Sequence, residues 1–389
     1  MMNNPPLLEV VVTARPSWAR VKHLVLAYIN LFGISKVRVS LVGPAVSNRY
    51  GNITNNLPSE LEIYQFPALQ ESDDLDSVAI TCLDGANALV RHWSHKRPDC
   101  VLVIADRTET LGVSLSAALM QIPLIHLQGG EVSGSIDDKI RDTNTKLADL
   151  HLTTNEYTRQ RLLSLGEDAE LIKITGCPSI DIVKEVVLNK LQYAIDFSTI
   201  PGVGISFDIE NIYGIIMFHP DTLNESQTQE WVDLLVKLVD DTNMNWFWFW
   251  PNPDHGTNAI SKKLRTAREM GALSKVKFVI NLEPEKFIKL ALNAKILIGN
   301  SSFGIRESSF IGLPVINIGK RQFGRQKATN VTDLVDILGF DEFKNLVQIE
   351  SQKSYPSSEL YGDGEAGVKA AKIIGSWKPQ IKLRKFKEN

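Results

Sequence analysis

Residues 100–127 read CVLVIADRTETLGVSLSAALMQIPLIHL. The stretch begins with an apolar run, Cys100–Ala105, and ends with a second one, Pro123–Leu127. Between them lies a helix-length amphipathic segment, Leu111–Met120. Two apolar runs joined by a helix are typical of a βαβ unit, whose strands belong to one parallel sheet. The stretch therefore predicts an α/β fold.

The same alternation continues along the rest of the chain. Further apolar runs predict strands at Leu8–Thr13, Val37–Val42, Leu150–Thr153, Leu171–Ile174, Tyr213–Phe218, Asn245–Trp250, Lys277–Asn281, Lys295–Ile298 and Pro314–Ile318. Amphipathic segments predict helices at Ala19–Phe32, Ser77–His95, Ser226–Asp241, Asn258–Met270, Pro284–Ala294 and Phe303–Ile311. A turn-rich stretch, Asp196–Asn211, separates the two halves and is interpreted as a linker. The pattern predicts two doubly wound domains, which bind ligands at the carboxyl ends of their strands.

Length, composition and net charge indicate the number of domains and the general class of the protein. The 389 residues exceed the usual size of a single core, and 43% are hydrophobic and 22% charged, as in a soluble enzyme. A net charge of -3 gives no electrostatic case for a nucleic-acid or membrane partner. The three cysteines are scattered, and no apolar run reaches membrane-spanning length. No basic segment precedes the first apolar run. These features predict a cytoplasmic protein without a signal peptide.

In the first half, charged residues follow the predicted strands. Arg15 lies just after the first strand and can bind phosphate, although a solvated loop arginine is an equal alternative. Asp106 follows the strand Cys100–Ala105 and is either a functional acid at the sheet edge or a helix N-cap. Gln128, Glu131 and Asp137 follow the next strand, around the pair Gly129-Gly130.

Asp137 and Arg141 are four residues apart at the start of a predicted helix. They form either a surface ion pair or part of a site. Four charged residues lie near adjacent strand ends, namely Asp106, Glu131, Asp137 and Arg141. This concentration favours a catalytic site, because acid/base chemistry needs carboxylates in differing environments.

In the second half, His219 follows the strand Tyr213–Phe218, and we interpret it as functional. The aromatic run Asn245–Trp250 predicts a buried strand rather than a stacking platform, and Asn252 lies in the loop that follows. Residues 298–307, IGNSSFGIRE, place Ser301 and Ser302 at the opening of a predicted helix, where hydroxyl and backbone groups can bind an anion.

Glu307 lies one to two turns further along, where a carboxylate can accept hydrogen bonds from a ribose diol, and Arg321 follows the strand Pro314–Ile318. Phosphate donors together with a diol-binding acid predict a nucleotide site. The segment carries neither a Walker lysine motif nor G-x-G-x-x-G, which argues against ATPase and NAD-dependent chemistry.

With these residues in place, the sequence resembles the hydrolysing UDP-N-acetylglucosamine 2-epimerases of sialic- and legionaminic-acid pathways. The resemblance spans nearly the whole chain in order. Its motifs are Ala105-Asp106-Arg107, residues 129–141 with Thr145-Lys146-Leu147-Ala148, Gly176-Cys177-Pro178-Ser179, His219-Pro220, Pro251-Asn252-Pro253-Asp254, Gly299-Asn300-Ser301-Ser302, residues 317–325 and Tyr361–Ala366.

The resemblance implies a GT-B-like fold, with two Rossmann-type parallel-sheet domains facing across a cleft. It places an N-terminal domain with the acid/base cluster at residues 1–195 and a UDP-binding domain at 212–370. Residues 371–389 are expected to form a helix and tail that pack back on the first domain. No metal and no cofactor are expected. A homo-oligomer, a dimer or tetramer, is the expected assembly, and a UDP-amino-sugar is the expected substrate.

The resemblance also implies a reaction and the residues that perform it. Loss of the C2 proton expels UDP from UDP-N-acetylglucosamine, and water then adds to the glycal to give N-acetylmannosamine. Asp106 and Asp137 match catalytic aspartates, Arg141 matches an active-site arginine, and His219 matches a candidate acid for the leaving UDP. The residues that match the UDP- and substrate-binding set are Arg15, Arg107, Asn252, Ser301, Ser302, Glu307 and Arg321.

Three features depart from the family pattern. The first loop reads Arg-Pro-Ser-Trp at residues 15–18, where many relatives have Arg-Ala-Asp-Tyr. Gln128 stands where several members have Glu, so that either Glu131 or Asp137 would take the C2 proton or the activity would be altered. Asp142 stands where His commonly follows the arginine. A UDP- or GDP-linked 2,4-diacetamido-trideoxy sugar is the alternative substrate. A non-hydrolysing epimerase, a GT-B glycosyltransferase and a non-catalytic sugar-nucleotide sensor are the alternative functions.

Overall fold

The computed structural model describes residues 4–47, 53, 57–70, 74–133, 136–189, 199–207, 212–220, 225–251, 257–280 and 282–381. The chain divides into two compact units. The first unit comprises Met1–Glu131, Ser135–Asp181 and Gly362–Asn389, and the second comprises Val132–Gly134 and Ile182–Tyr361. The sequence places the domain ends at 195 and 370, whereas the chain changes unit after Asp181 and after Tyr361. The helix Pro178–Leu188 spans the change of unit after Asp181, so no irregular stretch marks this boundary.

The first unit is built on a seven-stranded sheet in the order β3-β2-β1-β4-β5-β6-β7, with all neighbours parallel. Its strands are β1 (Leu8–Val12), β2 (Val37–Val42), β3 (Glu62–Phe66), β4 (Cys100–Ile104), β5 (Leu124–Leu127), β6 (Leu150–Thr153) and β7 (Ile172–Ile174). Its order reverses between β1 and β4, which makes their carboxyl ends the topological switch point.

Six helices belong to the same part of the chain: α1 (Arg15–Phe32), α2 (Leu75–Trp93), α3 (Thr108–Leu119), α4 (Asp137–Leu147), α5 (Glu156–Ser164) and α6 (Pro178–Leu188). Buried side chains cover both faces of the sheet and alternate along the strands. Val10 and Leu102 belong to one core cluster, whereas Val11 and Val101 belong to another. This double burial explains the continuous apolar runs, which parallel sheets require.

The second unit contains a seven-stranded sheet in the order β14-β13-β12-β9-β10-β11-β8. Its strands are β8 (Val203–Gly204), β9 (Tyr213–Met217), β10 (Asn245–Phe249), β11 (Val276–Val279), β12 (Leu297–Gly299), β13 (Val315–Ile318) and β14 (Val331–Leu334). All neighbours are parallel except β8, which pairs antiparallel with β11. Here the switch point lies between β9 and β12.

The helices of the second unit are α7 (Glu225–Asp241), α8 (Thr257–Glu269), α9 (Pro284–Asn293), α10 (Glu307–Ile311) and α11 (Phe340–Ser351). The aromatic strand β10 is buried on both faces, which confirms that it is core. Trp246 and Trp248 lie in one hydrophobic cluster, and Phe247 and Phe249 lie in another.

The last helix, α12 (Ala366–Ser376), returns to the first unit and packs against α1. Small residues permit the close approach, because a Cβ at Gly367 would lie 2.7 Å from the backbone of His23 and Leu24. The Asp181 carboxylate of α6 accepts hydrogen bonds from the backbone N–H groups of Ala366 (2.9 Å) and Gly367 (2.7 Å). A carboxylate at this position satisfies N–H groups that the first turn of a helix leaves unpaired.

Several elements differ from the sequence prediction. The half-exposed strand β3 and the short strands β8 and β14 were not predicted, since their residues do not form long apolar runs. Strand β8 lies inside the stretch interpreted as a linker. Helix α1 begins at Arg15 rather than Ala19, and the helix predicted at Phe303–Ile311 is a 3-10 turn, Ser302–Gly304, followed by the five-residue α10. Among the described residues, no helix is long and apolar enough to span a bilayer.

Candidate active site

The buried guanidinium of Arg141 is the centre of the polar cluster in the first unit. Its side chain is 1% exposed and forms ion pairs with the carboxylates of Asp106 and Asp138. Its Nη1 also donates to the backbone carbonyl of Glu131 at 2.8 Å. Three segments are thereby joined: the end of β4, the loop after β5 and the first turns of α4.

These contacts show that Arg141 does not lie on the surface, while its role in a site stays a prediction. A surface ion pair is wrong, because a side chain that is 1% exposed lies inside the unit. Asp138, which is not among the predicted site residues, is an ion-pair partner of Arg141, at a spacing of three residues on α4. The signal that could have revealed it is the i,i+3 spacing, which brings side chains to the same face of a helix as i,i+4 does.

Two further carboxylates lie in the same cluster. Glu131 is buried, and its Oε1 accepts a hydrogen bond from the hydroxyl of Thr154 at 3.0 Å. Asp137 is the first residue of α4 and is half-buried. A carboxylate is favoured in the first turn of a helix by the helix dipole. The structure thus brings Asp106, Glu131, Asp138 and Arg141 together, with Asp137 next to them on α4.

Gln128 lies at the end of β5, with a left-handed backbone (φ +65°) and a buried side chain. Its Nε2 donates to the sulfur of Cys177 at 3.1 Å, and its Oε1 accepts from Nη1 of Arg20 at 3.4 Å. The amide is therefore suited to this place, since it donates and accepts at once. A carboxylate can only accept.

The two predicted phosphate-binding arginines of the first unit lie beside its switch point. Arg15 is half-buried and occupies the first turn of α1, so it lies inside the helix rather than ahead of it. Arg107 precedes α3 and pairs with Glu109 through two hydrogen bonds, of 3.1 and 2.9 Å. Asp106 is therefore not the N-cap of α3, because Arg107 occupies that position.

In the second unit, Asn300 connects three neighbouring strand ends. Its side chain accepts from the backbone N–H of His219 and donates to the carbonyl of His219, both at 2.8 Å. Its own carbonyl accepts from Nη1 of Arg321 at 3.1 Å and from Nε2 of Gln322 at 3.0 Å. The ends of β9, β12 and β13 are thus fixed relative to one another.

His219 is 6% exposed, and burial together with the nearby charge of Arg321 lowers its pKa to about 3. The imidazole is consequently neutral near pH 7. A neutral imidazole still carries one N–H donor and one acceptor nitrogen. It is a poor proton donor, so the expectation that it acts as an acid needs a change of environment when a ligand binds.

The segment after β12 places the predicted anion-binding hydroxyls. Gly299 has φ +149°, and a Cβ there would lie 2.0 Å from the carbonyl oxygen of Met217, so only glycine fits. Ser301 accepts from the backbone N–H of Phe303 at 3.4 Å, and Ser302 accepts from Nη2 of Arg306 at 3.1 Å.

Glu307 is buried beside Arg306, with 3.8 Å between its Oε2 and the guanidinium Nε. Among the described residues, this Oε2 has no hydrogen-bond partner. A buried carboxylate oxygen without a donor is costly, which is typical of a position that binds a ligand hydroxyl. Asn252, the remaining predicted binding residue, lies outside the described residues.

Comparisons of the sequence with known proteins indicate one family. A sequence model of the family described as UDP-N-acetylglucosamine 2-epimerase matches residues 35–375. The chain is 32% identical, over 330 residues and 83% of each chain, to the GDP/UDP-N,N'-diacetylbacillosamine 2-epimerase (hydrolyzing) of Campylobacter jejuni. It is 29% identical to the UDP-N-acetylglucosamine 2-epimerase of Neisseria meningitidis, over 82% of this chain and 81% of the relative.

Solved structures agree on the fold. The Methanocaldococcus jannaschii UDP-GlcNAc 2-epimerase in complex with UDP-GlcNAc and UDP matches 94% of this chain and 99% of its own, with a TM-score of 0.75 and 15% identity. The Neisseria meningitidis UDP-GlcNAc 2-epimerase bound to UDP-GlcNAc matches 94% and 98%, with a TM-score of 0.72 and 16% identity. The fold is GT-B-like, with two parallel-sheet α/β domains, as predicted. The chain belongs to the UDP-N-acetylglucosamine 2-epimerase family.

Proposed function

We propose that the chain is a hydrolysing 2-epimerase, which releases UDP from a UDP-linked 2-acetamido sugar and inverts the sugar at C2. UDP-N-acetylglucosamine is the first candidate substrate. The observation that carries the proposal is the group of carboxylates around the buried guanidinium of Arg141. Such a group supplies a base and an acid in different environments, which proton removal from carbon requires.

The proposed reaction has two balanced steps. In the first, a carboxylate takes the proton from C2, the C1–O bond breaks, and UDP leaves with that electron pair, so that a C1=C2 double bond forms. In the second, a carboxylic acid gives a proton to C2 from the other face and water adds its hydroxyl to C1, while the remaining proton of that water passes to a carboxylate. The products are UDP and the free sugar with the manno configuration.

We assign the proton acceptor to Asp137 rather than to Glu131. The Glu131 carboxylate is buried and accepts the hydroxyl of Thr154, whereas Asp137 is half-buried at the start of α4 and more open to a substrate. Gln128 has no acid/base function, because its side chain is a neutral amide. Asp106 then serves as the second carboxyl group, held in place by its contact with Arg141.

The second unit supports binding of the nucleotide. Arg321 and the neutral His219 can donate hydrogen bonds to a diphosphate, and the Oε2 of Glu307 can accept one from a ribose hydroxyl. A diphosphate beside His219 would offset the charge of Arg321 and raise the pKa of the imidazole. His219 could then donate a proton to the leaving UDP.

A second candidate substrate is favoured by a specific comparison. The Campylobacter jejuni relative, at 32% identity, is named for GDP/UDP-N,N'-diacetylbacillosamine, and the Neisseria meningitidis relative, at 29%, for UDP-N-acetylglucosamine. These identities are too similar to choose between the sugars. A UDP- or GDP-linked 2,4-diacetamido-trideoxy sugar is therefore the alternative substrate.

Product analysis tests the function and chooses the substrate. We expect the chain, incubated without an acceptor, to release UDP and a free manno-configured sugar from UDP-N-acetylglucosamine, from UDP- or GDP-N,N'-diacetylbacillosamine, or from both. NMR of the products measures this, with UDP-glucose, which lacks the 2-acetamido group, as the negative control. A sugar that stays nucleotide-linked would indicate a non-hydrolysing epimerase. UDP release only with an added acceptor would indicate a glycosyltransferase, and UDP binding without turnover would indicate a sensor.

Asp106→Asn and Asp137→Asn should each lower kcat by about 10²–10⁴-fold, because each removes an acid/base group. The UDP dissociation constant should change by no more than about twofold by calorimetry, since a neutral residue of the same shape remains. Asp142→Asn is the matched control. Asp142 lies on the same helix but pairs with Arg161 at 2.8 Å, so this variant should retain kcat. Full activity in Asp137→Asn would return the base assignment to Glu131.

Glu307→Ala should raise the dissociation constant of UDP about tenfold or more, because a hydrogen bond to a charged group contributes about 1.5–3 kcal/mol. The same substitution should leave binding of 2′,3′-dideoxy-UDP nearly unchanged, since that nucleotide has no diol to donate. Glu342→Ala, at an exposed position on α11, is the control. Equal weakening for both nucleotides would show that Glu307 acts on the fold of the site and not on the ribose.

A further inference from the structure

The residue before Asp106 has a strained backbone. Ala105 has φ +54°, in the left-handed region that residues with a Cβ rarely adopt. Nothing in its side chain, a buried methyl group, stabilises this conformation. Strained residues of this kind persist when their surroundings fix them, and they concentrate at functional sites.

Two buried side chains fix the carbonyl of Ala105. Nε2 of His126, on β5, lies 2.9 Å from it, and Nδ2 of Asn144, on α4, lies 3.3 Å from it. Because a carbonyl can only accept, Nε2 of His126 must carry the ring proton. Nδ1 is then the acceptor for the hydroxyl of Thr145, at 3.0 Å. Burial keeps the ring neutral by lowering its pKa to about 4.

The peptide between Arg107 and Thr108 is held by the same network. Nδ2 of Asn144 also donates to Oγ1 of Thr110 at 2.8 Å, and that hydroxyl donates to the carbonyl of Arg107 at 2.5 Å. Asn144 therefore connects directly to Ala105 and through Thr110 to Arg107. The backbone is anchored at the carbonyl immediately before Asp106 and at the carbonyl of Arg107, one residue after it.

The loop after β5 packs on the same ring. A Cβ at Gly129 would lie 2.9 Å from Nδ1 of His126 and 3.0 Å from Oγ1 of Thr145. A side chain at this position would press on the His126–Thr145 pair. The glycine thus allows the loop that carries Glu131 to lie against the residues that hold Ala105.

We propose that His126 and Asn144 are positioning residues, which hold the Ala105 peptide in its left-handed conformation and thereby direct the Asp106 carboxylate at the substrate. The proposal rests on the function proposed above, because it needs Asp106 to take part in the reaction. Neither residue contacts the reacting atoms. Their contribution is the orientation of a carboxylate that must lie within hydrogen-bonding reach of the sugar.

The test compares His126→Phe with His126→Gln in the full-length chain. Phenylalanine keeps a ring of similar size but has no donor, whereas the amide nitrogen of glutamine can replace Nε2. Asn144→Leu removes the other donor and provides a second variant should His126→Phe fail to fold. The matched control is His151→Phe on β6. His151 is buried directly beside His126 in the sheet register but pairs with Glu167 at 3.4 Å instead of Ala105.

We expect His126→Phe and Asn144→Leu to lower kcat about 10–100-fold, because a displacement of about 1 Å costs up to about 10²-fold. KM and the UDP dissociation constant should stay within about threefold. His126→Gln should recover most of kcat, and His151→Phe should retain it. Crystal structures of the two low-activity variants should show Ala105 out of the left-handed region and the Asp106–Arg141 ion pair displaced.

Several results would overturn the proposal. His126→Phe with an unchanged kcat, His151→Phe with an equal loss, or an unchanged Ala105 and Asp106 in the His126→Phe crystal structure would each contradict it. Failure of the proposed function has a different signature, namely a wild-type chain that releases UDP from no sugar nucleotide. In that case the crystal structures still decide whether His126 and Asn144 hold Ala105.

Discussion

A buried positive charge must be paired, because the cost of removing an unpaired ion from water is several kcal/mol. Arg141, at 1% exposure, is such a charge, and its partners come from three places in the chain. Asp106 follows β4, Asp138 lies on α4, and the carbonyl of Glu131 belongs to the loop after β5. The requirement to neutralise one guanidinium therefore accounts for the positions of the Asp106 and Asp138 carboxylates beside it.

In the second unit, a neutral side chain connects neighbouring segments, as the charged Arg141 does in the first. Asn300 joins the ends of β9, β12 and β13 through its amide and its carbonyl. In both units the connected segments follow neighbouring strands beside the switch point, where parallel sheets leave room for ligands. The two sites differ in chemistry. The first concentrates carboxylates, which suits proton transfer, and the second offers N–H donors together with the acceptor Glu307, which suits a nucleotide.

The sequence predicted much of the fold, because strands buried on both faces must be apolar along their whole length. It also placed charged residues after the strands β4, β5 and β13, as the structure has them, while their functional roles stay predictions. It did not predict β3, which is half-exposed and polar, or the strand β8 inside the expected linker. His126 was missed because it lies within an apolar run, although a polar residue in a buried strand must find a partner. The left-handed conformation of Ala105 depends on contacts with His126 and Asn144, which lie 21 and 39 residues away in the chain.

The amide of Gln128 stands where several relatives have a carboxylate. The chemical question is therefore whether a chain with an amide at this position still removes the C2 proton. The measurement that tests this most directly is NMR of the sugar released from UDP-N-acetylglucosamine or its diacetamido counterpart in heavy water. We expect UDP and a free manno-configured sugar that carries one deuterium at C2, since the returning proton comes from solvent. A released sugar with its original hydrogen and configuration at C2 would contradict it, because UDP would then have left by simple hydrolysis.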